Sequence, residues 1–162
     1  MKLLEPDIYI DKITNLKVDF LKEQGIKGLL IDIDSTVMGR NYELIDNIKG
    51  WIKEMKKNNI KVFFVSNTHN KRKKKIMRQK LNSEVIIRAY KPLSRGFKEA
   101  MQKLNLTNKE VAVIGDQLFT DILGGNILGC YTVMVSPLEP EYEAGGMFII
   151  RCLESLVKRI RR

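Results

Sequence analysis

Cysteine, histidine and proline are all scarce in this chain. The two cysteines, Cys130 and Cys152, stand apart and form no CxxC pair, which excludes a zinc ribbon and a disulfide framework. They read as reduced, partly buried thiols of the kind found in cytosolic proteins. The single histidine, His69, cannot build a multi-histidine metal site. Four prolines are too few for a proline-rich linker protein. No apolar run approaches the ~18 residues of a membrane-spanning helix. The opening Met1 to Asp7 stretch lacks a sustained apolar segment, so a secretory signal is not expected. Internal repeats, low-complexity tracts and Gly/Ser linkers are missing. No GxxxxGK(S/T) loop occurs, which excludes a P-loop kinase.

What is present is ordinary globular material with an unusual charge. The 162 residues are 44% hydrophobic and 30% charged, which suits one domain over residues 1–162. A chain of this length buries roughly 68–70% of the surface its unfolded form exposes, enough for a core without staples. Lys+Arg at 29 against Asp+Glu at 19 gives a net charge of +10. That excess favours anionic partners, whether nucleic acid, acidic lipid or a phosphorylated metabolite, and does not choose among them.

Two apolar periods alternate along the chain. Leu29 to Ile33 is a short apolar run interrupted by Asp32 and reads as a buried strand. From Glu43 to Asn58, Leu44, Ile45, Ile48, Trp51, Ile52 and Met55 draw one stripe on a helix. Lys61 to Val65 is β-branched and aromatic, hence a strand. A basic helix follows over Asn70 to Leu81, then a short strand at Glu84 to Ile87. Ser94 is expected to cap a helix ending at Leu104. Val111 to Ile114 is a strand, Phe119 to Leu128 a helix stopped by Gly129, and Tyr131 to Val135 a last strand. The tail from Leu153 to Ile160 reads as helical. This alternation implies an α/β, Rossmann-like, mostly parallel sheet of about five strands with helices on both faces. Ligands of such sheets bind beyond the carboxyl ends of the strands, so the chemistry is sought there.

The first strand ends in Asp32-Ile33-Asp34-Ser35-Thr36. On an extended segment the two carboxylates point to one face. Burying Asp32 within an apolar run costs several kcal/mol unless a positive group meets it, and a divalent cation would do so. The second strand ends in Ser66-Asn67-Thr68, which suits an anion or, more simply, a helix cap. After the third, Pro92 holds Lys91 extended, and the lysine supplies a point charge for phosphate. The fourth ends in Gly115-Asp116 with Asp121 five residues on. Gly115 allows a tight turn, and Asp116 is placed to join Asp32 and Asp34 around a hard cation. Asp121, in the first turn of the next helix, also suits the helix dipole.

The order DxDxT, Ser-Asn, Lys-Pro, GDxxxxD, each after a strand, resembles the four motifs of haloacid dehalogenase superfamily phosphatases. The stretches GIKGLLIDIDST, IKVFFVSNT, RAYKPLSRGFKEA and VIGDQLFTDILGGN are similar to the YqeG-type phosphatases, relatives of the mitochondrial phosphatidylglycerophosphate phosphatases. The resemblance spans about residues 5–137. It implies a Mg²⁺-dependent phosphomonoester hydrolase. Asp32 would be the nucleophile, forming an aspartyl-phosphate. Asp34 would protonate the leaving oxygen and then activate water. Mg²⁺ would bind Asp32, the backbone carbonyl of Asp34, and Asp116, with Asp121 orienting the metal shell. Ser66, Lys91 and the backbone of Asn67 would hold the phosphoryl group, and Thr36 and Gly115 would support the loops.

The gaps between motifs leave no space for a cap domain, so the site is expected to be open, as suits a large or surface-bound substrate. Lys71 to Lys75 form a five-residue basic run, followed by Arg78 and Lys80, and the tail adds Lys158, Arg159, Arg161 and Arg162. The run reads either as a solvated helix face or as a docking surface for anionic membrane. Leu3, Leu4, Ile8 and Ile10 would either insert shallowly in a membrane or pack on the domain. The family resemblance favours a lipid phosphate such as phosphatidylglycerophosphate, handled by a cytoplasmic protein peripheral on the inner membrane face. A soluble phosphometabolite remains the alternative substrate. A receiver-type signalling domain would not need the GDxxxxD motif. A basic RNA-binding protein is ranked lower because no aromatic-basic RNA motif occurs.

Overall fold

The computed structural model describes residues 3–139. Its strands are β1 (Ile8–Ile10), β2 (Gly28–Ile31), β3 (Lys61–Val65), β4 (Glu84–Ile86), β5 (Val111–Gly115) and β6 (Tyr131–Val135). Its α-helices are α1 (Val18–Glu23), α2 (Ile48–Lys57), α3 (Lys71–Leu81), α4 (Ser94–Leu104) and α5 (Leu123–Leu128). The expected tail helix, Cys152 and the basic residues of the tail lie outside the described residues.

All six strands pair in parallel, in the order β1-β6-β5-β2-β3-β4. β2, at the centre, is buried along its whole length, because both its faces are covered. Alternate residues feed two cores. Leu29, Ile31, Val62 and Phe64 pack with Trp51, Ile52 and Met55 of α2 and Met77 of α3. Leu30, Phe63 and Val65 pack on the opposite side with Phe97, Ala100 and Met101 of α4. The fold is the Rossmann-like α/β architecture expected, with helices on both faces and no cap domain among the described residues.

The differences from the sequence reading are local and have physical causes. A sixth strand, β1, adds to the edge of the sheet, with Ile8 opposite Val133. Three residues are too few to declare a period. Ile8 and Ile10 pack against the main core and Leu4 against a small cluster of Leu118, Ile122 and Met134, so this segment is domain packing and not a membrane wedge. α2 starts at Ile48, five residues after the expected Glu43. The intervening chain forms a short hairpin in which Met38 bridges Leu44, and Tyr42 and Asn47 adopt left-handed backbone. Ser94 is the first residue of α4 and makes no capping hydrogen bond; Leu93 precedes it. α3 does carry a side-chain cap, since Asn70 Oδ1 accepts from the Arg72 amide at 2.9 Å. The helix after β5 opens as a wide π-type turn over Leu118–Ile122 before α5. Gly129 ends α5 with φ +70°, as its position suggested.

Candidate active site

The carboxyl ends of β2, β3 and β5 and the loop after β4 meet at one edge of the sheet. Asp32 follows β2 directly, and its amide still donates to the Ile114 carbonyl at 2.9 Å. The chain then leaves the extended path. The Ile33 carbonyl accepts from the amides of Thr36, Val37 and Met38, and Ser35 has φ +59°. Asp34 is therefore not on a continued strand, as the sequence reading had it. Its carboxylate turns to the ammonium of Lys73 on α3.

Ser66 is anchored at the end of β3 by its amide, which donates to the Ile86 carbonyl at 2.9 Å. Its Oγ accepts from the Thr68 amide at 3.1 Å. The Asn67 side chain clamps the backbone of Lys91. Its Oδ1 accepts from the Lys91 amide at 2.6 Å and its Nδ2 donates to the Lys91 carbonyl at 3.0 Å. The Lys91–Pro92 bond is cis. So held, Lys91 projects inward. Its Nζ donates to Asp32 Oδ1 and to Asp121 Oδ1, each at 2.6 Å.

Thr36 Oγ1 donates to Asp116 Oδ1 at 3.2 Å, and the Gln117 amide donates to Asp121 Oδ2 at 3.2 Å. Gly115 has ordinary backbone, so its role is space and not a left-handed turn. A Cβ there would come within 2.2 Å of the Asp121 carboxyl. The absence of a side chain at 115 lets Asp121 fold back beneath β5.

The electrostatics are dominated by three carboxyl groups. Asp32, Asp116 and Asp121 are all buried, and one carboxylate oxygen from each lies within 4.8 Å of the others. The Lys91 ammonium pairs with two of them, Asp32 and Asp121. Burial pushes the Asp32 carboxyl up to about 7, with Lys91 pulling it down and Asp121 pushing it further up. Burial likewise raises Asp121, opposed by Lys91 and reinforced by Asp116. Burial alone would lower Lys91, but the Asp121 and Asp32 carboxylates override it and hold the lysine above its ordinary range. Three carboxylates, when ionised, repel one another in this buried space, and Lys91 bridges two of them. An oxygen-only donor set of this kind fits a hard divalent cation.

The sequence-derived residues thus fall into groups. Asp32, Asp116, Asp121 and Lys91 are in one cluster, with Thr36 bonded to Asp116 and Asn67 bonded to Lys91. Ser66 is buried at the end of β3. Asp34 stands beside this cluster with its side chain on Lys73. Lys73 and Tyr42 were not singled out from the sequence. Lys73 was one of five consecutive basic residues, and its pairing across 39 positions has no local signature. The Arg72 guanidinium lies over the Tyr42 ring at 4.4 Å, so this end of the basic run is not simply solvated.

The family model described as mitochondrial PGP phosphatase matches residues 1–138. The chain belongs to this family. The probable phosphatase YqeG of Bacillus subtilis (strain 168) is 36% identical over 160 residues, covering 98% of this chain and 90% of that protein. Phosphatidylglycerophosphate phosphatase 1, chloroplastic/mitochondrial, of Arabidopsis thaliana is 26% identical over 164 residues, and the chain spans 47% of its length. Among solved structures, the cobalt-bound deoxy-D-mannose-octulosonate 8-phosphate phosphatase (YrbI) of Haemophilus influenzae superposes with a TM-score of 0.56 at 17% identity, covering 70% of each chain. The p-nitrophenyl phosphatase of Archaeoglobus fulgidus gives 0.53 at 18% identity, covering 72% of this chain and 90% of that one. At those identities the structures establish the fold. With the family match, they make this member of the PGP phosphatase family a phosphatase of the haloacid dehalogenase type. Its three buried carboxylates are a site that can hold a metal ion.

Proposed function

We propose that the protein is a Mg²⁺-dependent phosphomonoesterase that works through an aspartyl-phosphate on Asp32, and that its substrate is a phosphorylated lipid such as phosphatidylglycerophosphate. The observation that carries this reading is the buried cluster of three carboxylates around Lys91. Phosphoryl transfer asks for positioning and charge stabilisation more than unusual side chains. An Asp32 oxygen attacks phosphorus as the bond to the leaving oxygen breaks, and Asp34 gives that oxygen its proton. Asp34 then takes a proton from the water that cleaves the acyl phosphate, freeing inorganic phosphate and Asp32. Lys91, Ser66 and the Asn67 backbone hold the phosphoryl oxygens. Asp32, the Asp34 carbonyl and Asp116 would hold the cation, with Asp121 orienting the shell; when bound, Mg²⁺ would neutralise charge building on the phosphoryl group.

A lipid substrate and a peripheral membrane position draw support from the same edge. Tyr90 and Leu93 flank Lys91 and are 56% and 66% exposed. This loop is tied to the start of the α3 segment, since the Arg88 amide donates to the Thr68 carbonyl at 3.0 Å. Exposed apolar side chains thus flank Lys91, on a loop bonded to the turn that precedes the basic helix. Each basic residue near an anionic surface, such as the cytoplasmic leaflet, contributes about 1 kcal/mol. No helix among the described residues is long and apolar enough to cross a membrane.

The test is phosphate release from a panel containing phosphatidylglycerophosphate, soluble phosphometabolites and a generic monoester, with Mg²⁺ and with chelator. Release from the lipid, lost with chelator and in a folded Asp32→Asn variant, is expected. Preference for a soluble phosphometabolite would replace the lipid reading, and full turnover by Asp32→Asn would remove Asp32 as nucleophile.

A further inference from the structure

We propose that Tyr42, Arg72 and Lys73 form a leaving-group subsite, selecting phosphomonoesters whose alcohol carries a second anionic group. The inference rests on the reading above only in placing the leaving oxygen at Asp34. From that point outward the surface is set by the hairpin and the first turn of α3. Lys73 reaches Asp34 with its ammonium, and its side chain is largely buried at 17% exposure. The guanidinium of its neighbour Arg72 lies over the Tyr42 ring, 4.4 Å from the centroid, and Lys73 Nζ sits 6.0 Å from the same centroid. Tyr42 is itself fixed, because its hydroxyl accepts from Asn70 Nδ2 at 2.7 Å. Two cations thus lie within cation–π range of one ring, which helps to preorganise them.

Tyr42 and Arg72 also line a cleft of about 740 Å³, together with Lys71, Lys75, Lys80 and Glu43. Four cations against one carboxylate give the cleft a net attraction for an anionic group. A leaving alcohol bearing a phosphodiester or a second phosphate can exchange its anion for the Asp34 carboxylate on Lys73 and meet Arg72 alongside. A neutral alcohol can do neither. The shared chemistry is a second phosphate-type anion on the alcohol, whether it comes from a lipid headgroup or from a soluble bisphosphate.

The experiment compares kcat/KM for three water-soluble monoesters. These are the deacylated headgroup of phosphatidylglycerophosphate, a sugar bisphosphate, and glycerol 3-phosphate, whose alcohol is neutral. In the wild type the best anion-bearing substrate should exceed glycerol 3-phosphate by at least about tenfold, as a charge-assisted hydrogen bond allows. Which of the two leads identifies the source of the anion. In Lys73→Met and Arg72→Met that selectivity ratio should fall about tenfold, towards one, and Lys73→Arg should retain part of it. Competitive inhibition by glycerophosphoglycerol, the anionic alcohol product, should weaken in parallel. An equal fall on all substrates, with product inhibition unchanged, would make Lys73 only a positioning residue for Asp34 and overturn the subsite. A wild-type ratio near one would overturn it too, while leaving the phosphatase reading intact. Failure of the wild type on all three and on phosphatidylglycerophosphate itself would sink both.

Discussion

Replacing Lys91 by methionine tests the balance of the buried cluster most severely. The side chains involved are almost inaccessible: Lys91 is 2% exposed, Asp32 8% and Asp121 1%. Methionine keeps most of the length of lysine and removes its charge. Both 2.6 Å ion pairs vanish, and two buried carboxylates lose their common partner. Removing one member of a buried pair costs about 3–5 kcal/mol, and at about 2–4 °C per kcal/mol for this size the melting temperature should drop by roughly 6–20 °C. The assay is calorimetric unfolding in chelator, from pH 5 to pH 8. Burial raises the folded-state pKa of Asp32 to about 7 from an ordinary 3.8. A carboxylate raised on folding takes up a proton, so its contribution favours the fold at low pH and turns against it as pH climbs from 3.8 towards 7. Without Lys91, which pulls Asp32 down, that loss should be steeper. The deficit of Lys91→Met should therefore be larger at pH 8 than at pH 5. A melting temperature within about 1 °C of wild type at pH 8, or a deficit that grows on acidification, would refute the reasoning.

Three further outcomes follow from the same geometry. Asp116→Asn should abolish the gain in melting temperature that wild type shows with Mg²⁺ over chelator, since it removes one of the three clustered carboxylates. That gain is about 2.7 kcal/mol at a hundredfold excess over Kd, read by scanning calorimetry. Gly115→Ala drives a methyl to within 2.2 Å of the Asp121 carboxyl; overpacking of this kind costs about 1–3 kcal/mol in denaturant melts, and phosphate release should fall with it. Cys130 is buried and its thiol is pushed up to about 12, so in a Cys152→Ser background iodoacetamide at pH 8 should label it only on unfolding, as mass spectrometry would show.

Much of the fold was legible because its central strands are continuous apolar runs. β2, β3, β5 and β6 each bury both faces and end at polar residues, which is the pattern read from Leu29, Val62, Val111 and Thr132. β1 was not legible, since its identity as a strand comes from pairing with β6 and not from its own three residues. The start of α2 was misplaced because Leu44 and Ile45 continue the helical stripe while packing on the core from a hairpin. At the site, topology did the work. Knowing that chemistry gathers at strand ends brought forward Asp32, Lys91, Asp116 and Asp121 before any distance was known. The pairing of Lys91 with both Asp32 and Asp121 was not foreseen, because a lysine near phosphate and a carboxylate at a helix start each have a sufficient local explanation. Nor was the attachment of Lys73 to Asp34, which depends on how the hairpin and α3 face one another.

The central claim is that Asp32 receives the phosphoryl group. Single turnover with Mg²⁺ and a good monoester, quenched and reduced with borohydride, converts an acyl phosphate at aspartate into homoserine. Peptide mass spectrometry should find homoserine at position 32, dependent on substrate and lost with chelator. Undiminished turnover with aspartate intact at 32, or homoserine at another position, would contradict the account.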